Sequence, residues 1–120
     1  MALGVLAGAA CGRPVAPAAD VVVEWKLTPS APLVDGETVA EITLRDRARQ
    51  PLSGARLRVE AHMTHPGMAP VIEVAAERGN GAYVARLRFP MAGAWILFVK
   101  GELADRRSIN QRVGETIVGV

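Results

Sequence analysis

From Val21 onward, apolar and polar residues alternate with a period of two. This is the repeat of a β-strand, whose successive side chains point to opposite faces. Val21–Leu27 predicts a first strand, closed by Pro29-Ser30-Ala31-Pro32. Thr38–Leu44 alternates cleanly and predicts a second. Asp46–Gly54 is a polar connection with Pro51 and Gly54 as turn residues. Ala55–His62 predicts a third strand, with Leu57, Val59 and Ala61 on one face and Arg58, Glu60 and His62 on the other. Val71–Glu77 is a fourth, and Arg78-Gly79-Asn80-Gly81 is a tight turn because Asn and Gly tolerate positive φ. Ala82–Phe89 is a fifth, with Tyr83, Ala85, Leu87 and Phe89 sharing a face, and Pro90-Met91-Ala92-Gly93 ends it. Ala94–Val99 is apolar on both faces, which places it centrally in a sheet. Ser108–Val113 is a seventh, open to extension toward the C-terminus.

Nowhere does a 3.6-residue period persist. Seven short strands punctuated by turns predict an all-β fold, an immunoglobulin-like antiparallel β-sandwich over residues 21–120. Half of the 120 residues are apolar but only 4% are aromatic, so Val, Leu, Ile and Ala must fill the core. Trp25 and Trp95 are its expected large pieces.

Residues 1–20 follow another logic. Met1–Cys11 (MALGVLAGAAC) is apolar and small, and too short to cross a bilayer, which takes roughly 20 apolar residues. It reads as the later part of a secretory signal. Small residues before Cys11 resemble a lipoprotein signal, which makes Cys11 a candidate lipid attachment site, although Gly8 stands where that motif prefers Leu. Cleavage near Ala7-Gly8-Ala9 and an uncleaved tail are the alternatives. All three predict a periplasmic or cell-envelope setting, with the membrane reached only through an N-terminal lipid; a merely disordered apolar tail would be cytosolic. Gly12–Asp20 is Pro/Ala-rich and reads as a tether. Cys11 is the sole cysteine, so no disulfide can form within the chain.

Charge removes one class of function. Fourteen Lys and Arg against twelve Asp and Glu leave a net +2, and the arginines alternate with apolar residues or sit in turns. A nucleic-acid protein would cluster them on one face. Catalysis is not expected either, since no Ser/His/Asp arrangement or carboxylate pair lies near any candidate site, and Tyr83 is the only tyrosine.

The chemistry concentrates in one segment. His62-Met63-Thr64-His65-Pro66-Gly67-Met68 holds both histidines and two of the four methionines, and Met91 lies in a later connection. Thioethers are soft and imidazole is borderline, a set that suits copper, with Cu(I) favoured over Cu(II). Calcium and magnesium want oxygen ligands, and zinc favours cysteine and carboxylate beside histidine. Pro66, Gly67 and Pro70 stop the strand and stiffen the loop. The candidate ligands are His62, Met63, His65, Met68 and Met91. Alternation puts His62 and Met63 on opposite faces unless the strand bends, so His65 and Met68 form the centre of the set. Met91 joins them if its connection lies at the same end of the sandwich, as a simple up-and-down count of strands predicts.

Trp25-Lys26-Leu27-Thr28-Pro29, Val39–Asp46, Pro51–Ala55, the Met/His/Pro loop, Gly79–Tyr83 and Phe89-Pro90-Met91-Ala92-Gly93-Ala94-Trp95 together resemble the YtkA-like and FixH-like domains of bacterial envelope proteins. The resemblance implies an immunoglobulin-like sandwich and a role in copper handling, including oxidase assembly and metal-efflux adaptors. The family's Met/Pro loop corresponds to Met63–Met68 and its later methionine to Met91. This chain departs by its two histidines, by Pro66-Gly67, and by lacking the transmembrane helix of FixH-like proteins. The expected function is a copper chaperone or carrier of the envelope, whose partners are the metal ion and a copper-receiving or efflux protein. The alternative is a structural or partner-binding sandwich module without metal.

Overall fold

The structure is a computed structural model and describes residues 20–65 and 67–120. The expected signal, tether and Cys11 lie outside that range, apart from Asp20, as does Pro66. Seven strands follow in order: β1 (Val22–Thr28), β2 (Glu37–Arg45), β3 (Arg56–Met63), β4 (Val71–Gly79), β5 (Ala82–Arg88), β6 (Gly93–Glu102) and β7 (Ser108–Val118). All seven predicted strands are present, and all neighbouring strands are antiparallel.

The spatial order is β1-β2-β5-β4-β3-β6-β7. This is not an up-and-down meander. β1, β2 and β5 form one layer and β3, β6 and β7 the other. β4 joins the layers at a corner: Val71–Ala75 pairs with β3, and Ala76–Gly79 pairs with β5. The chain reverses into β5 through Gly79, Asn80 and Gly81, all at positive φ (97°, 55° and 77°), as the tight turn requires. β6 lies between β3 and β7, in keeping with its two apolar faces.

Alternation delivers the core. Leu57, Val59 and Ala61 of β3 are buried, as are Tyr83, Ala85 and Leu87 of β5 and Trp95, Leu97 and Val99 of β6. Trp95 and Phe89 meet at a centroid distance of 5.4 Å. Trp25 behaves differently. It is only half-buried and lies across Gly114, where any Cβ would collide with the indole. It closes the seam between β1 and β7 rather than filling the centre. Tyr83 pins the connection before β3, since its hydroxyl donates to the Leu52 carbonyl (2.7 Å) and accepts from the Ala55 amide (3.1 Å). Burial of that hydroxyl raises its pKa.

Candidate metal centre

β3 and β6 are antiparallel neighbours, with Met63 opposite Trp95. The loop leaving β3 therefore meets the loop entering β6. A further bond, from the Thr64 amide to the Ala94 carbonyl (3.4 Å), carries the pairing one step into the loop. Between these loops lies a cleft of about 250 Å³, lined by Met63, His65, Met68, Met91 and the short segment Ala92–Ala94. Four of the five candidate ligands are thus brought to one place.

His62 is not among them. The strand runs straight through Met63 without a bend, so His62 stays on the outer face of the sheet. There its Nε2 lies 3.0 Å from the Glu60 carboxylate, and its ring stands edge-on to Phe98 at 5.5 Å. Met63 takes the inner face and packs partly against the core.

Each remaining candidate has its own local support. Met63 lies against Gly93, where an added Cβ would sit 2.7 Å from the Met63 methyl; Gly93 also has φ of 130°, which side-chain-bearing residues avoid. Met91 is held through its backbone. The Trp95 indole N–H donates to the Met91 carbonyl at 3.0 Å, so a wholly buried side chain ties the loop down from below. Gly67, at φ of 88°, turns the β3–β4 loop between His65 and Met68. His65, Met68 and Met91 are exposed, and Met63 forms the half-buried floor.

No Asp, Glu, Lys or Arg side chain among the described residues lines the cleft. Among the described residues, no three His, Cys, Asp or Glu side chains gather as a harder metal ion would need. A hard dication would find nothing here to neutralise it. A soft monovalent ion would find three thioethers and one imidazole.

Sequence reading missed the polar hub beside the cleft. Glu60 is 6% exposed and faces the outer side of the sheet. Its carboxylate takes Arg58 at 2.7 Å, Lys100 at 2.9 Å and His62 at 3.0 Å. These partners, Arg58 foremost, hold its pKa at about 2 against the opposing effect of burial. The Arg58-x-Glu60-x-His62 alternation carried part of this signal, but Lys100 comes in only through the β3–β6 register, which sets it opposite Arg58. The tie from Trp95 to Met91 left no mark in the sequence beyond a spacing of four.

Comparison with known proteins agrees with this architecture. The family model described as YtkA-like matches residues 17–100. Among solved structures, the crystal structure of the Lin-41 filamin domain is similar, with a TM-score of 0.60 and 16% identity over 88% of this chain and 97% of that one. At that identity the likeness speaks to the fold alone, and it is the immunoglobulin-like one. No curated protein matches the chain.

Proposed function

The chain belongs to the YtkA-like family, and we propose that it is a non-enzymatic copper-binding protein of the cell envelope, a chaperone or carrier that takes Cu(I) as cargo. One observation carries the reading: Met63 at the end of β3, His65 and Met68 in the loop that follows it, and Met91 in a loop far away in sequence line a single cleft with no Asp, Glu, Lys or Arg among its described lining residues. Three thioethers and an imidazole match the softness of Cu(I) and offer little to harder ions. The exposure of His65, Met68 and Met91 supports exchange, because a receiving protein can reach these side chains while Met63 still holds the ion from below.

Competition titration of the reduced protein with Cu(I) and a chelator of known affinity tests this. The expected result is binding at least tenfold tighter than that of a variant carrying His65→Ala and Met68→Ala. Equal binding by the two proteins would sink the proposal. X-ray absorption at the copper edge should then count about three sulfur ligands and one nitrogen.

A second reading has its own support. Ile72, Val74 and Ile117 are 49%, 80% and 64% exposed on the outer faces of β4 and β7, a surface that suits a partner-binding module. Envelope pull-downs with and without a copper chelator separate the two. A partner retained without metal favours the module.

A further inference from the structure

The three methionines of the cleft are unequal. Met68 and Met91 are 36% and 46% exposed, on two different loops. Met63 is half-buried, packed against the core, with its methyl group pressed toward Gly93. Thioether oxidation requires an oxidant to approach the sulfur lone pair, so its rate follows exposure.

We propose that Met68 and Met91 are a paired modification site, where a two-electron oxidant of the peroxide or hypochlorite class converts both thioethers to sulfoxides and switches the cleft off. The consequence for copper rests on the function proposed above; the order of oxidation does not. With hydrogen peroxide, the sulfur attacks one peroxide oxygen. A sulfur–oxygen bond forms, the oxygen–oxygen bond breaks, and the second oxygen leaves as water after proton transfer. The sulfur is oxidised by two electrons and the peroxide is reduced by two.

The product no longer fits the cargo. A sulfoxide oxygen is a harder donor than a thioether sulfur. Oxidising the two exposed residues would leave Cu(I) only Met63 and His65, one from the inner face of β3 and one from the loop just beyond it. The conversion is also reversible, because methionine sulfoxide is reduced by thiol-dependent reductases. The core-packed methionine is thus spared while the two lip methionines respond. A redox-inert soft ion held in the cleft would engage the same lone pairs and block this two-electron attack.

Peroxide titration of the full chain, followed by tryptic peptide mass spectrometry, reads the order. Met63 and Met68 share the peptide 59–78, where fragment ions separate them, and Met91 falls in the peptide 89–100. Met68 and Met91 should each gain one oxygen at least fivefold faster than Met63. Protein oxidised at both should bind Cu(I) at least tenfold more weakly in the chelator competition, and sulfoxide reduction should restore it. Preloading with Ag(I), a soft monovalent ion that peroxide does not cycle to a higher state, should slow oxidation of both. Oxidation of Met63 at the same rate overturns the inference, and so does undiminished Cu(I) binding by the doubly oxidised protein. Untreated protein in the same titration reports on the copper reading itself: if it binds and the oxidised protein binds equally, the switch alone fails, whereas if the untreated protein does not bind, the copper reading fails and takes the switch with it.

Discussion

Replacing Trp95 by Phe isolates what the indole does for the cleft. The bond from its N–H to the Met91 carbonyl, 3.0 Å long, is lost. A hydrogen bond of this kind contributes about 1 kcal/mol net. The missing part of the indole also leaves a void beside Phe89, in a site with no solvent exposure. A partial truncation of a buried side chain costs about 1–2 kcal/mol. Together these destabilise the domain by about 2–3 kcal/mol, or a fall in Tm of roughly 8–20 °C. The copper effect is separate. Once the tie is gone, the Met91 backbone must be ordered at the moment of binding rather than beforehand. Fixing one residue's backbone costs about 1–2 kcal/mol, a loss of roughly 5–30-fold in Cu(I) affinity. Thermal unfolding followed by circular dichroism gives the first quantity. Chelator competition, at a temperature where the variant is folded, gives the second. Val59→Ala is the control, because Val59 is 1% exposed and does not line the cleft. Its stability loss should be similar, at about 2 kcal/mol, with copper binding unchanged. If Trp95→Phe binds Cu(I) as tightly as Val59→Ala, the indole does not position Met91 for the metal.

Three further outcomes follow from named contacts. His62→Ala should alter Cu(I) affinity by less than twofold, since that ring faces Glu60 rather than the cleft; a loss comparable to that of His65→Ala in the same titration would place His62 among the ligands after all. The Glu60 carboxyl has a folded pKa of about 2, below the ordinary 4.5, so the stability it contributes is fully present above pH 4.5 and fades as pH falls toward 2; after allowance for the partly exposed Arg58 this is about 2 kcal/mol, and denaturant unfolding of Glu60→Gln should show a shallower loss between pH 5 and 2 than the parent protein. Gly101→Ala would drive a Cβ into the Arg56 backbone at a position with φ of 148°, and should cost about 3 kcal/mol or more by chemical denaturation; a loss under 1 kcal/mol would contradict the close approach of β3 and β6.

The strands were legible because alternate, inward positions are mostly apolar in β1, β2, β3, β5 and β6, although not in β4, and that alternation survives in the burial of Leu57, Val59 and Ala61 or of Tyr83, Ala85 and Leu87. The same rule separated His62 from Met63. It faltered where phase or register intervenes. β7 runs on to Val118 because Val113 is an extra residue between the partners of Leu97 and Phe98. Before this bulge the odd-numbered Ile109 is buried, and after it the even-numbered Thr116 and Val118 are. A bulge of one residue exchanges the faces of a strand, so the pattern past Val113 no longer looked like the same element. Trp25 was read as core from its size, but β1 is the edge of its layer, and the residue closes a seam instead. The convergence of Met91 with the Met/His loop followed from a correct statement about which ends coincide. Its physical reason is the pairing of β3 with β6, not the up-and-down count that suggested it.

That pairing also fixes the polarity of the molecule. The cleft sits where β6 begins, at Gly93, and β6 runs ten residues to Glu102, a length of about 30 Å. The chain enters the domain near the far end. Asp20 is bonded to Arg107, in the connection between β6 and β7, at 2.7 Å, and β1 starts beside Arg45. Arg107 also holds Asp105 at 2.8 Å; its guanidinium lowers the pKa of Asp20, and its backbone amide, with the guanidinium second, lowers that of Asp105. The point of entry is thereby tied to the pole opposite the cleft. A protein held to a surface through its N-terminal segment would present the cleft away from that surface, with Met68 and Met91 outermost. This is the arrangement a carrier needs in order to meet a second protein. A site meant to keep its metal would bury its ligands, and here only Met63 is drawn toward the core. On the proposed function, the unequal depth of the three thioethers would serve exchange: the half-buried one would retain the ion while the exposed ones are surrendered in turn to an incoming ligand.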